Sequence, residues 1–184
     1  SAGSDLKNNF QAVAEKLIEV KNHYGFDGYF LNIEDPSGWT PPETFVKFEQ
    51  SLRAAGMVVQ FYDSLSSGGQ LSYQNMLDEQ NRKYFDDATS IFTNYWWRDS
   101  QLETSVSTAR ARRGDVFMGI DCYARGTPYG PGPDEIKRPV SEASGKGLSV
   151  GVFAASWTMD NAPDPNNWIA FDKVYWDAIR EAFQ

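Results

Sequence analysis

Apolar side chains recur along this chain in two alternating rhythms. Over residues 5–22, Leu6, Phe10, Val13, Leu17 and Val20 return at three- and four-residue steps, the spacing of one helical face. Gly25 then supplies a stop. Strand-like runs follow at 27–34, 57–64, 90–97, 115–123 and 148–157, and helical stretches separate them at 42–55, 73–85, 99–113, 134–146 and 166–183. No repeat, low-complexity tract or linker interrupts the series. Alternating strands and helices joined by short turns predict parallel strands with helices outside them.

An open doubly wound sheet and a (β/α)8 barrel both satisfy that alternation. Two features favour the barrel. No glycine-rich phosphate loop follows a strand, and nearly every strand ends in polar or aromatic residues, where barrel sites lie. The expected class is therefore α/β, a (β/α)8 TIM barrel of which about five strands are present. Residues 1–184 are expected to be one partial catalytic barrel domain without its N-terminal βα units. A second polypeptide is one way to complete such a barrel.

Strand parity sharpens the picture, because successive side chains point to opposite faces. In Asp27-Gly28-Tyr29-Phe30-Leu31-Asn32-Ile33-Glu34, the odd positions Tyr29, Leu31 and Ile33 are expected to face the helices. Gly28, Phe30, Asn32 and Glu34 then face the barrel axis. The same pattern turns inward Gln60 and Tyr62, then Phe92, Asn94 and Trp96, then Gly119, Asp121 and Tyr123, then Gly151, Phe153, Ala155 and Trp157. Each set runs from small or apolar to polar or aromatic. A packed core requires no such gradient, whereas a polar pocket walled by rings does.

Composition narrows the chemistry. The net charge of −8 argues against nucleic acid or an anionic membrane as the partner. No apolar run approaches the roughly 20 residues of a membrane span, and Ser1-Ala2-Gly3-Ser4 lacks the character of a signal segment. One cysteine, Cys122, excludes an internal disulfide, and one histidine, His23, leaves no histidine cluster for a metal. No metal or cofactor is expected. Aromatic residues make up 15% of the chain, with six Trp and nine Tyr, an excess that suits flat platforms for sugar rings.

One carboxylate with an amide two residues before it is informative in that setting. A conventional glycosidase needs two carboxylates. An amide at the partner position is neither a strong base nor a nucleophile. A substrate with a 2-acetamido group supplies its own nucleophile, the acetamide oxygen. The protein then needs an acid/base, Glu34, and a group to orient the acetamide, Asn32. Asp63 and Asp121 remain open as a second carboxylate of a two-carboxylate glycosidase, and a non-catalytic sugar-binding fragment is the alternative of a different class.

Five stretches together resemble glycoside hydrolase family 85, the endo-β-N-acetylglucosaminidases. They are residues 24–34, then Phe61-Tyr62-Asp63-Ser64, the Gln-Asn-rich segment 75–81, Phe92-Thr93-Asn94-Tyr95-Trp96-Trp97, and Gly119-Ile120-Asp121-Cys122-Tyr123-Ala124-Arg125-Gly126. They fall in the order expected of that family, from about residue 10 to about 160. The resemblance implies a retaining enzyme that cuts between the two N-acetylglucosamines of an N-glycan core through an oxazoline intermediate. It places the acid/base on Glu34, the acetamide-orienting asparagine on Asn32 and an active-site tyrosine on Tyr62. Sugar contacts fall on Asn94, Trp96 and Trp97, and Asp121 and Trp157 join the expected substrate-binding set. Tyr73 stands where the family commonly has Trp, so an acceptor-side platform differs here. The partner implied is an N-glycoprotein or free N-glycan. The compartment stays open between cytosolic and secreted, with the cytoplasm favoured.

The remaining aromatic residues read as structural. Trp39, in the loop 36–42, is expected to anchor that loop rather than to serve as a rim platform. Trp168 and Trp176 share helical spacing with Phe171 and Ile179 and are expected to face the core. Cys122 is expected to face the helices as a small apolar residue.

Overall fold

The structure, a computed structural model, describes residues 2–35 and 39–183. Its elements alternate as the hydrophobic pattern requires: α1 (Ala2–Tyr24), β1 (Gly28–Leu31), α2 (Pro42–Ala54), β2 (Val58–Tyr62), α3 (Arg82–Asp87), β3 (Ser90–Phe92), α4 (Asp99–Ala109), β4 (Val116–Asp121), α5 (Pro133–Ser144), β5 (Ser149–Phe153), α6 (Trp157–Asp160) and α7 (Trp168–Ala182). The paired strands within each unit run parallel, the α/β arrangement predicted. The chain divides into two compact units, Ser1–Asn94 and Tyr95–Gln184.

In the first unit, β1 pairs with β2 from Gly28↔Val58 to Leu31↔Phe61, and β2 pairs with β3 from Gln60↔Ser90 to Tyr62↔Phe92, both parallel. Parity assigns the faces as expected. The Tyr29 hydroxyl donates to the Leu17 carbonyl of α1 at 2.7 Å. Val59 and Phe61 are fully buried, with the Phe61 ring 5.8 Å from Phe45 of α2. Each such buried side chain contributes about 1.5–3 kcal/mol. Phe30, Tyr62 and Phe92 share the opposite face as mutual neighbours, with ring centroids 5.6–6.1 Å apart. Only glycine fits at position 28, because a Cβ there would lie 1.7 Å from the Val58 carbonyl oxygen.

In the second unit, β4 and β5 pair in parallel from Phe117↔Ser149 to Asp121↔Phe153. Ile136, Val140 and Ala143 of α5 and Tyr175, Ala178 and Ile179 of α7 form buried stripes. Lys137 of α5 and Glu181 of α7 close that pair at 2.9 Å. Cys122 is buried and accepts a hydrogen bond from the Tyr175 hydroxyl at 3.2 Å, so it faces the helices as expected.

The strand expected over 90–97 ends at Phe92, and three further expectations need correction. The helix expected over 73–85 is reduced to Arg82–Asp87, because side-chain amides and a buried carboxylate take the backbone groups of residues 74–81, as Asn and Asp commonly do. The strand expected over 148–157 stops at Phe153. Ala154 turns the chain at φ 61°, and Trp157 becomes the first residue of α6. Trp176 is 43% exposed, since it sits about 100° around α7 from Tyr175, off the buried stripe. Among the described residues, no helix is long and apolar enough to cross a membrane.

Candidate active site

The β1 strand ends at Leu31, and the chain continues through Asn32 to Glu34 beyond its C-terminal end. Parity carries both side chains to the face shared by Phe30, and the structure joins them. The Asn32 amide Nδ2 donates to Glu34 Oε2 at 2.9 Å. The other carboxylate oxygen, Oε1, accepts from the Tyr73 hydroxyl at 2.6 Å. Glu34 is thus held by two donors, one local and one from a loop 39 residues away. With Nδ2 turned to Glu34, the Asn32 carbonyl oxygen is the atom available to accept an N–H from a bound acetamide.

The β2 and β3 strands place the next residues. The Tyr62 hydroxyl donates to Asn94 Oδ1 at 2.9 Å, and the Asn94 amide donates to Asn75 Oδ1 at 2.7 Å. The Tyr62 ring lies 6.2 Å from Tyr73 and 5.7 Å from Phe30. Tyr62 and Asn94 are almost wholly buried, while Phe30 and Tyr73 are exposed. An aromatic surface therefore adjoins the Asn32–Glu34 pair, with its polar atoms fixed by one another.

Asp63 follows Tyr62 and points the other way. It is fully buried and receives main-chain N–H groups from Gln74, Asn75 and Asn94 at 2.7–3.2 Å. The Asn81 side-chain amide adds a further bond at 2.9 Å. Burial pushes its carboxyl up to about 7 although these four donors favour the charged form. Asn75 holds φ 59°, a left-handed conformation that asparagine tolerates better than most residues. Sequence reasoning did not anticipate this loop. Its signal is the density of Asn and Gln over 75–81, inside the stretch 73–85 expected to be helical.

In the second unit, adjacent tryptophans take opposite roles. Trp96 is 58% exposed, and a Cβ at Gly126 (φ +70°) would touch its ring at 3.4 Å, so glycine lets that loop approach the indole. Trp97 is fully buried. Its ring lies 5.0 Å from Tyr129 and its Nε1 donates to the Gly119 carbonyl at 2.7 Å. The expectation that Trp97 contacts sugar is corrected: the indole is packing and β4 attachment. Trp157 is half-buried, with its ring against Phe171 and Tyr175 of α7 at 5.8 and 5.9 Å.

Asp121, at the end of β4, is buried and ion-paired with Arg125 at 2.8 Å, and it accepts the Tyr123 N–H at 3.1 Å. The Arg125 guanidinium lies over the Tyr123 ring at 5.2 Å, and the Tyr123 hydroxyl donates to Asp160. Arg125 and Asp160 were not anticipated. In the first unit, Trp39 anchors its loop as expected, donating to the Gly68 carbonyl at 2.6 Å, while Thr40 N–H donates to Gly69 at 3.1 Å. Residues 36–38 of that loop lie outside the described residues.

The arrangement suits one-carboxylate chemistry. Glu34 and Asn32 are exposed and adjacent. Asp63 has both oxygens occupied by donors in a buried pocket, and Asp121 is neutralised by Arg125. Neither of those two carboxylates is presented as an attacking group.

Known proteins share the sequence and fold of this chain. The model of glycosyl hydrolase family 85 matches residues 4–183. The cytosolic endo-beta-N-acetylglucosaminidase of Gallus gallus is 33% identical over 178 residues, covering 94% of this chain and 24% of that protein. The Homo sapiens enzyme of the same name is 34% identical over 162 residues, covering 84% of this chain and 21% of its own length. The chain thus spans about a quarter of the length of such relatives. Among solved structures, the glycoside hydrolase domain of Endo-D from Streptococcus pneumoniae R6 superposes with a TM-score of 0.67 at 22% identity, covering 86% of this chain and 27% of that one. A chitinase from Chromobacterium violaceum gives a TM-score of 0.66 at 12% identity, covering 98% and 74%. At those identities, both structures speak to the fold alone.

Proposed function

The chain belongs to glycosyl hydrolase family 85, and from that premise we propose that it carries the acid/base centre of an endo-β-N-acetylglucosaminidase acting on the GlcNAc-β1,4-GlcNAc core of N-linked glycans. The observation that carries this reading is the pairing of Asn32 with Glu34 at 2.9 Å, combined with the burial of Asp63 and the ion pair of Asp121. One exposed carboxylate beside an amide calls for a substrate that brings its own nucleophile.

The steps follow from that pairing. The carbonyl oxygen of the substrate's 2-acetamido group attacks the anomeric carbon as the glycosidic C–O bond breaks. Glu34 gives its proton to the departing sugar oxygen. Asn32 Oδ1 accepts the acetamide N–H and orients the carbonyl, stabilising the oxazoline as it forms. Water then opens the oxazoline at the anomeric carbon, and Glu34 takes its proton back. Two inversions at one carbon give overall retention. A sugar hydroxyl in place of water gives transglycosylation. The exposed Trp96 offers a ring to stack on a sugar, and Asn94 supplies a buried amide that keeps the Tyr62 hydroxyl in place.

We assign N-glycoproteins and free N-glycans as substrates, and the five strand–helix units as part of a (β/α)8 catalytic barrel. The cytosolic names of the relatives favour the cytoplasm. The test is incubation with a defined N-glycopeptide followed by mass spectrometry. The expected products are a peptide bearing one N-acetylglucosamine and a glycan ending in the other, released with β configuration. A protein that binds the glycopeptide without cleaving it contradicts this assignment and favours a sugar-binding module.

A further inference from the structure

We propose that Asp63 is a positioning residue for Glu34, an inference that rests on the function assigned above. Its carboxylate touches no reacting group. It accepts the main-chain N–H groups of Gln74 and Asn75, at 3.1 and 2.7 Å. These two residues directly follow Tyr73, whose hydroxyl holds Glu34 Oε1 at 2.6 Å. The segment from Ser66 to Asn81 forms no regular helix, so its course depends on such local ties. Asp63 ties three of its residues, Gln74, Asn75 and Asn81, from a fully buried site.

The same carboxylate reaches the site by a second route. It accepts the Asn94 N–H at 3.2 Å, and Asn94 in turn holds the Tyr62 hydroxyl and the Asn75 amide. Asn75 closes the circle, with its N–H on Asp63 and its side-chain oxygen on Asn94, in the left-handed backbone conformation at φ 59°. Every contact Asp63 makes through its side chain is with a donor. An amide in its place would set a donor against donors and release at least one of them, whereas the site residues themselves would be unchanged.

The test is a double-mutant cycle on glycopeptide hydrolysis, using Asp63→Asn, Tyr73→Phe and the pair, with thermal unfolding followed alongside. Asp63→Asn is expected to lower kcat by up to about 100-fold, the scale on which small misplacements act, with KM little changed. In the Tyr73→Phe background the further loss should shrink by about tenfold or more, since interacting residues are not additive. Equal losses in both backgrounds, or an unfolding shift with kcat per folded molecule unchanged, would overturn the proposal. Should Asp63→Asn fail to fold, Tyr73→Phe decides alone, because it keeps the ring and removes only the hydroxyl that meets Glu34: lowered kcat supports the clasp on Glu34, and wild-type kcat overturns it. Wild-type protein that does not cleave the glycopeptide sinks the assigned function and this inference with it, whereas an active wild type with additive variants sinks the inference only.

Discussion

Replacing Glu49 with leucine should stabilise the protein and flatten its stability against pH. Glu49 lies on α2 with Phe45, Phe48 and Leu52 at steps of three and four residues, so helical spacing puts it on the core stripe. It is fully buried, and neither carboxylate oxygen has a hydrogen-bond partner. Burial pushes its pKa well above the ordinary carboxylate range, and the negative charge of Asp87 adds to the effect. A buried polar group without a partner costs about 1–3 kcal/mol. Leucine removes both orphaned oxygens and adds apolar contact, so a gain of that size is expected, or about 2–4 °C in Tm for each kcal/mol.

The direction of the pH effect follows from linkage. The folded state keeps a proton that the unfolded chain releases near the reference value of 4.5. Wild-type stability from this group is therefore fully present below that value and is lost as pH rises through the folded pKa. The leucine variant has no such loss, so its advantage should widen from mildly acidic to mildly alkaline pH. Thermal unfolding by circular dichroism across that range measures it. A variant with lower Tm than wild type at every pH, or a gap that narrows as pH rises, would refute the reasoning.

The two adjacent tryptophans should separate cleanly: Trp97→Ala is expected to cost about 3–5 kcal/mol of stability, read by denaturant unfolding. Trp96→Ala should leave stability within about 0.5 kcal/mol while raising KM for glycopeptide. Gly28→Ala forces a methyl group into the Val58 carbonyl at 1.7 Å, so β1 and β2 must part. A loss of about 1–3 kcal/mol and reduced activity are expected, measured by unfolding and turnover.

The parts of the site that sequence could reveal were those governed by period-two alternation. Tyr29 on the helix side and Phe30 beside Tyr62 follow from parity alone, as does the projection of Asn32 and Glu34 past the end of β1. Parity also separates Trp96 from Trp97, since the inward set Phe92, Asn94 and Trp96 leaves Trp97 on the buried side. The family resemblance had placed both on sugar. The loop between β2 and α3 was hidden for a different reason. Its shape is set by Asp63 bonding to backbone groups 11 and 12 residues away, and propensity describes near neighbours only. The Tyr73 hydroxyl on Glu34 depends on that loop and was equally out of reach. The place of Trp157 on α6 rather than β5 was hidden because Ala154, at φ 61°, turns the chain at a residue that carries no turn signal.

The central claim is that Asn32 and Glu34 divide one substrate-assisted reaction between them. Its most direct measurement compares Asn32→Ala and Glu34→Gln on two substrates, an N-glycopeptide and the preformed sugar oxazoline with an N-acetylglucosamine acceptor. Glu34→Gln should abolish glycopeptide turnover, a loss of about 10²- to 10⁴-fold for general acid/base help. Asn32→Ala should also fail on glycopeptide yet still transfer the oxazoline to the acceptor, because the step it serves has been bypassed. Asn32→Ala hydrolysing glycopeptide at the wild-type rate, or a glycosyl ester trapped on Asp63 or Asp121, would contradict the account.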